Sequence, residues 1–347
     1  MRFSFRRALL CGAVALSGCG GAQHSAYTIT DLGVPDNFGD YVQSIAINSS
    51  GKALVISSSG GNPEALLTNS MVWSNGSAIN LPSLGGYFNA AAAMNDQGMV
   101  VGVADTADQS GGSIRPYLWQ NGTITDLSTA AGTIYPAAVN NSGWIVGTTY
   151  PAWGHAALLR NGQVTDLSVT LGTSSSNAVG INDNGDIVGN TYTDSNLGPL
   201  PSAYLLKAGQ VTRLVSLGGP NSSAAAINRN GQIVGSANKP DSDGNGGYLS
   251  HAVLWHNGTV TDLGTLGGAS SHANGLNSLG HVVGESATSN GSSAFVYRDG
   301  KMLDLNTLIP SNSGWVIWSA RGINDSGQIV GQGIFGGNIR AFLLSPH

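Results

Sequence analysis

Cysteine occurs only twice in 347 residues, as Cys11 and Cys19, both near the N-terminus. Everything downstream therefore lacks a disulfide, a thiol nucleophile and a cysteine-based metal site. Charge is sparse as well, with Asp, Glu, Lys and Arg together making 10 per cent of the chain. Solubility must rest on Ser, Thr, Asn and turn backbone rather than on ion pairs. There is no 3.6-residue apolar period of useful length, and the 51 glycines would break any helix laid across these segments. A helical array is thereby excluded. Apolar runs are also too short to cross a bilayer as a helix, which takes about 20 residues.

The N-terminus reads as an export signal. Arg2, Arg6 and Arg7 form a basic region, Ala8 to Leu16 an apolar one, and Leu16-Ser17-Gly18-Cys19 resembles a lipobox. The expected division is a signal peptide over 1–18, a short tether over 19–26 and a folded domain over 27–347. Cys19 would carry the lipid and place the protein on the bacterial cell envelope: outer membrane, periplasmic side or cell surface. The alternative is an ordinary secretory signal in which Cys19 is incidental. Residues 1–18 hold three of the 14 basic residues and none of the 19 acidic ones, so their removal leaves a formal charge of −8. Such a surface repels nucleic acid and anionic lipid, which leaves the anchor as the only expected membrane contact.

What the chain does have is a repeat. A small residue, an apolar residue, Asn, two variable residues and Gly recur around Asn48, Asn95, Asn140, Asn182, Asn228, Asn277 and Asn324. A period in the forties belongs to β-propellers and a few helical arrays. Residues 253–300 display one unit. Val253 to His256 and Thr259 to Leu263 flank the hairpin signal Asn257-Gly258; Ala273 to Asn277 and His281 to Gly284 flank the Asn-x-x-Gly turn. Hairpin signals recur at Asn75-Gly76, Asn121-Gly122, Asn161-Gly162, Ala208-Gly209 and Asp299-Gly300, with Ala208 the weak member. Ala or Gly stands two residues before every anchoring Asn. Such small side chains predict close approach of neighbouring backbones, so this segment is assigned to the inner edge of a blade.

The two ends complement each other. After Asn324 the chain supplies Gln328 to Gly331 and Ala341 to Leu344, and Tyr27 to Gly33 matches the missing outer strand at Thr259 to Gly264. The expectation is an all-β, seven-bladed β-propeller with four antiparallel strands per blade, closed by the N-terminal strand completing the last blade.

Aligning His251-Ala252-Val253-Leu254-Trp255, Thr261-Asp262-Leu263-Gly264-Thr265-Leu266-Gly267-Gly268 and Asn324-Asp325-Ser326-Gly327-Gln328-Ile329-Val330-Gly331 shows that the chain resembles the bacterial extracellular HAF-repeat family. Matches to its His-Ala-Phe triplet are partial. His155-Ala156-Ala157 and His251-Ala252-Val253 keep the His, whereas Ala294-Phe295 and Ala341-Phe342 keep the other two. The resemblance covers nearly the whole mature chain. It implies a secreted or surface-attached repeat protein and brings no activity or catalytic residues with it.

Candidate sites fall on the face opposite the uniform Asn-x-x-Gly turns, where connections vary in length. At the axial mouth, Tyr135, Asn177, His272, Asn274 and Arg321 are expected to line a polar pocket; a water-filled channel without a ligand is the other reading. Trp153, Trp315 and Trp318 are aromatic candidates for sugar rings or peptide side chains, or else covers for blade tops. Asp241, Asp243 and Asn245 fit the first half of a calcium loop, but Ala252 stands where the bidentate Glu belongs, which favours a flexible polar loop. No cofactor is required, and calcium is the one candidate. His155 and His251 occupy equivalent positions, as do Asp126, Asp166, Asp262 and Asp304, so both sets read as scaffold. No nucleophile elbow or catalytic constellation stands out. The expectation is a monomeric binding scaffold for a glycan or protein, with a polysaccharide- or peptide-acting hydrolase or lyase, and a structural envelope spacer, as the alternatives.

Overall fold

A computed structural model describes residues 25–33, 41–58, 68–107, 113–128, 133–150, 154–193, 200–242 and 247–347. The signal region with Cys11 and Cys19, Trp153, and the loop positions Asp243 and Asn245 lie outside the described residues. The chain forms seven four-stranded antiparallel sheets, six of them running outward from a first strand to a fourth in sequence order and the seventh taking its outer strand from the N-terminus. Blades I to VI span 41–80, 85–126, 133–166, 176–213, 222–262 and 271–304, and blade VII joins 315–346 to 27–31. Helical structure among the described residues is confined to one turn at Ser168–Leu171 and a 3-10 turn at Leu305–Thr307.

The closure expected from the two ends is present. Tyr27–Asp31 pairs antiparallel with Asn338–Pro346, Tyr27 opposite Pro346 and Asp31 opposite Phe342. The N-terminal strand is thus the outer strand of blade VII, and the ring has no unpaired junction.

The hydrophobic residues gather at the seams between blades rather than in one central core. Leu54 and Val72 of blade I pack with Ala91 and Tyr117 of blade II. Val146 and Ala156 of blade III pack with Ile181 and Tyr204 of blade IV. At the closing seam, Val330, Ala341 and Leu343 of blade VII meet Val42, Val55 and Met71 of blade I. Each blade is thereby apolar on both faces, which explains strands such as Ala53–Ser58 that are buried nearly throughout.

The inner edge is the first strand, as the small residues imply. A Cβ on Gly275 would stand 2.8 Å from the Arg321 carbonyl of the next blade, and one on Gly322 would stand 3.3 Å from the Ile47 amide. In all seven blades the first strand also bulges just before these small residues, as between Ala273 and Gly275 or Ala178 and Gly180. In six blades the residue opposite the bulge's start is a glycine that fits under it: a side chain on Gly284, opposite Ala273, would collide with the His272 carbonyl and the Phe295 ring. Gly102, Gly147, Gly189, Gly235 and Gly331 meet the equivalent carbonyl of their own blades.

Candidate functional site

The two mouths of the channel are built differently. At the Asn-x-x-Gly face, each anchoring Asn donates its side-chain amide to the backbone carbonyl of the next: Asn48 to Asn95 at 3.4 Å, Asn95 to Asn140 at 2.9 Å, and so on to Asn324, which reaches Asn48 at 3.1 Å. The intervening links are Asn140 to Asn182, Asn182 to Asn228, Asn228 to Asn277 and Asn277 to Asn324. Seven buried amides therefore close a ring. Each Asn also holds its own turn, as when Asn140 Oδ1 accepts from the Ser142 and Trp144 amides at 3.1 and 2.9 Å.

The residues that follow form an outer ring. Asp96 accepts from the Ser49 amide, Asp183 from the Asn141 amide, and Asp325 from the Ser278 amide and hydroxyl, with Arg229 3.3 Å from Asp325. These groups, with the apolar side chains one residue before each Asn, surround a bowl of about 320 Å³. Partial burial alone would raise the Asp325 carboxyl, but the two Ser278 hydrogen bonds and the Arg229 charge outweigh it and hold it below the usual carboxylate range. The polar groups of this mouth named above are bonded either within their own turn or to a neighbouring blade.

The opposite mouth differs from blade to blade. Its rows are set by register: the residue five before each Asn faces one on the second strand. The pairs are Gln43 with Ile56, Ala90 with Val103 and Tyr135 with Thr148 in blades I to III. In blades IV to VII they are Asn177 with Asn190, Ser223 with Ser236, His272 with Glu285 and Ser319 with Gln332. The second half of the ring is thus polar in both rows. Between blades V and VI a cavity of about 310 Å³ is lined by Ser223, Ser236, His272, Asn274 and Glu285 together with small residues. A smaller one of about 120 Å³ shares Ser223 and Ser236 and adds Asn221, Asn238 and Ser250 toward blade IV.

The structure brings only part of the expected constellation together. His272 and Asn274 line the cleft, and Asn274 also donates to the Ala320 carbonyl of blade VII at 2.9 Å. Arg321 is the residue after that acceptor. Asn177 is engaged inside blade IV, donating to the Tyr192 hydroxyl and accepting from the Asn190 amide. Tyr135 stands two blades away in blade III. Trp315 is buried in blade VII and stacked on Phe335 at 5.0 Å, where it borders a separate hollow of about 410 Å³ with Pro310 and Ile29. Trp318 is half-buried on the same strand, and Asp241 is exposed at the end of the second strand of blade V. Among the described residues no three His, Cys, Asp or Glu converge as a metal cluster.

Sequence reasoning missed Glu285, Ser223 and Ser236. Glu285 lies eight residues after Asn277, a row holding Ile56, Val103, Thr148, Asn190, Ser236 and Gln332 in the other blades; comparing that row as closely as the first strand finds it. The recurring acids are explained by blade chemistry. Asp126, Asp262 and Asp166 end their fourth strands, accept the backbone amide two residues on, and pair respectively with Arg115 and His251 of the third strand and His155 just before it, at 3.0, 2.9 and 2.7 Å. The Arg or His at this position is therefore a clamp on the outer strand.

These features define a seven-bladed β-propeller with one uniform, self-bonded mouth and one variable, polar mouth. A protein-family profile described as a protein of unknown function (DUF3466) matches residues 173–340. Among curated proteins none matches the sequence. Of solved structures, the chain is similar to the β-propeller domain of the Trilobed protease from Pyrococcus furiosus, at 11% identity and a TM-score of 0.57, covering 90% of this chain and 94% of that one. It is also similar to the acylaminoacyl peptidase of Pyrococcus horikoshii, at 11% identity and a TM-score of 0.51, covering 88% of this chain and 53% of that one. Likeness at this level concerns the fold alone. The Pyrococcus furiosus domain has an open velcro topology, whereas the ring here is fastened by its N-terminal strand.

Proposed function

We propose that this protein is an envelope-attached propeller of the HAF-repeat kind that binds a glycan or protein partner at its variable mouth. The observation that carries the reading is the cleft of Ser223, Ser236, His272, Asn274 and Glu285. It gathers hydroxyl, imidazole, amide and carboxylate groups in one concavity on the side where the blades differ. A rigid ring presenting variable loops is a scaffold suited to recognition. Attachment rests on the lipobox-like Leu16-Ser17-Gly18-Cys19.

Two experiments test this. Glycan-array screening of residues 25–347 is expected to return ligands whose binding is lost in His272→Ala and Ser236→Val; retention of all binding in both variants would remove the cleft. Expressed in full, the wild type is expected in the membrane fraction and Cys19→Ser in the soluble one. A second reading is favoured by one observation, the placing of His272 opposite Glu285 in register. A histidine beside a carboxylate serves general acid–base chemistry, so hydrolase and lyase assays on the bound glycans, with Glu285→Gln as control, accompany the screen.

A further inference from the structure

Among the described residues, nothing answers the charge of Arg321. Its Nε is buried without a hydrogen-bond partner, and among the described residues no carboxylate forms an ion pair with it. A guanidinium offers five donors in a planar fork; the residue is half-buried, and the one donor shut away from water, Nε, is costly to leave unpaired. In the repeat, Arg321 takes the channel-side place held by Asn274 in blade VI and by Ala225 in blade V, and both of those line the cleft. The hydroxyl of Ser319, in the same row as His272, is likewise buried and unpartnered. The carboxylates Asp96, Asp183 and Asp325 stand at the opposite mouth. The cleft has a carboxylate of its own, Glu285, opposite His272, and at the far mouth Arg229 is already met by Asp325; Arg321, with no carboxylate partner among the described residues, is the positive charge left to meet an anionic group entering from the variable face.

Resting on the reading of the cleft as the binding site, we infer that its ligand is an acidic saccharide, with the anionic group, a carboxylate or sulfate, held by Arg321. The hydroxyl, amide and imidazole groups of Ser223, Ser236, Asn274 and His272 suit the hydroxyls of the sugar rings beside it. A carboxylate or a sulfate presents two oxygens side by side that accept two parallel N–H bonds from the fork, which a neutral hydroxyl cannot match.

The test is calorimetric titration of residues 25–347 with three oligosaccharides of equal length: an oligouronate, a sulfated one and a neutral one. At least one acidic ligand is expected to bind about tenfold or more tightly than the neutral one, with the gap closing as salt rises. Arg321→Ala is expected to abolish that preference and Arg321→Lys to keep part of it. Thermal melting confirms that each variant folds, and His272→Ala supplies an independent probe of the cleft should Arg321→Ala fail to do so. Whichever acid binds, uronate or sulfate, identifies the group. Neutral and acidic ligands binding alike, with sensitivity to His272→Ala but not to Arg321→Ala, would overturn the anion inference and leave the cleft standing. Peptide binding sensitive to His272→Ala, with no saccharide bound, would do the same. Binding of an acidic saccharide that neither variant affects would overturn both.

Discussion

Two kinds of asparagine punctuate the blades, an anchoring one in all seven and a hairpin one in four, and they do different physical work. The hairpin residues Asn75, Asn121, Asn161 and Asn257 sit at φ near 50°, each followed by a Gly at positive φ, as a two-residue type I′ turn demands. Ala208 holds the same φ, 49°, without an amide to stabilise it. A non-glycine residue in that region costs roughly 1–2 kcal/mol, less for Asn. Ala208→Asn is therefore expected to stabilise the protein by about 0.5–1 kcal/mol, read as a higher midpoint in urea unfolding; an unchanged or lower midpoint would contradict the turn assignment. The anchoring asparagines are instead buried members of a ring. Removing Asn140 deletes its bond to Asn182 and leaves the Ser142 and Trp144 amides without their acceptor. Asn140→Ala is expected to cost about 2–3 kcal/mol in the same measurement, because buried groups lose partners that water does not replace.

At the level of the element, the outer strand of blade VII is the piece on which the ring depends. Tyr27 is buried with Phe342 and Leu344 in the seam core between blades VI and VII, and Leu32 is buried with Leu343 at the seam with blade I. A variant beginning at residue 34 would lose both contacts and expose the edge of Asn338–Pro346. Its expected behaviour is a broadened melt at lower temperature and concentration-dependent association, since a bare strand edge templates pairing. A sharp, unshifted, monomeric melt would show that closure is dispensable. This strand was legible in the sequence because Tyr27 to Gly33 repeats the pattern of Thr259 to Gly264, and so were the blades, because Asn and Gly at fixed spacing leave the backbone few alternatives. The site was legible only in part. His272 and Asn274 stand out along the first strand, where polar residues interrupt a small or apolar series. Glu285 joins them through cross-strand register, and Ser223 and Ser236 through the neighbouring blade, relations that no stretch of sequence displays.

For the whole molecule, the joints between its parts are partly ionic, and this sets its response to acid. Partial burial tends to raise the carboxyls of Asp126, Asp166 and Asp325. Hydrogen bonds from Ser128, Ser168 and Ser278, with Arg115, His155 and Arg229 nearby, prevail and hold all three below the ordinary carboxylate range. A carboxyl whose folded value is depressed binds fewer protons folded than unfolded. Its stabilisation is therefore complete above the unfolded value of about 3.9 and is lost as pH falls through the folded one. The first two acids tie fourth strands to their own blades, and Asp325 ties blade VII to blade VI at the channel mouth. The melting temperature is accordingly expected to receive a constant contribution from these groups between pH 5 and 8 and to fall below about pH 4 as they are protonated. A variant carrying Asp126→Asn, Asp166→Asn and Asp325→Asn should melt lower than wild type at pH 6, and the difference between the two should narrow toward pH 2.5. A difference that stays constant across that range would mean that these three carboxylates do not govern the acid limb.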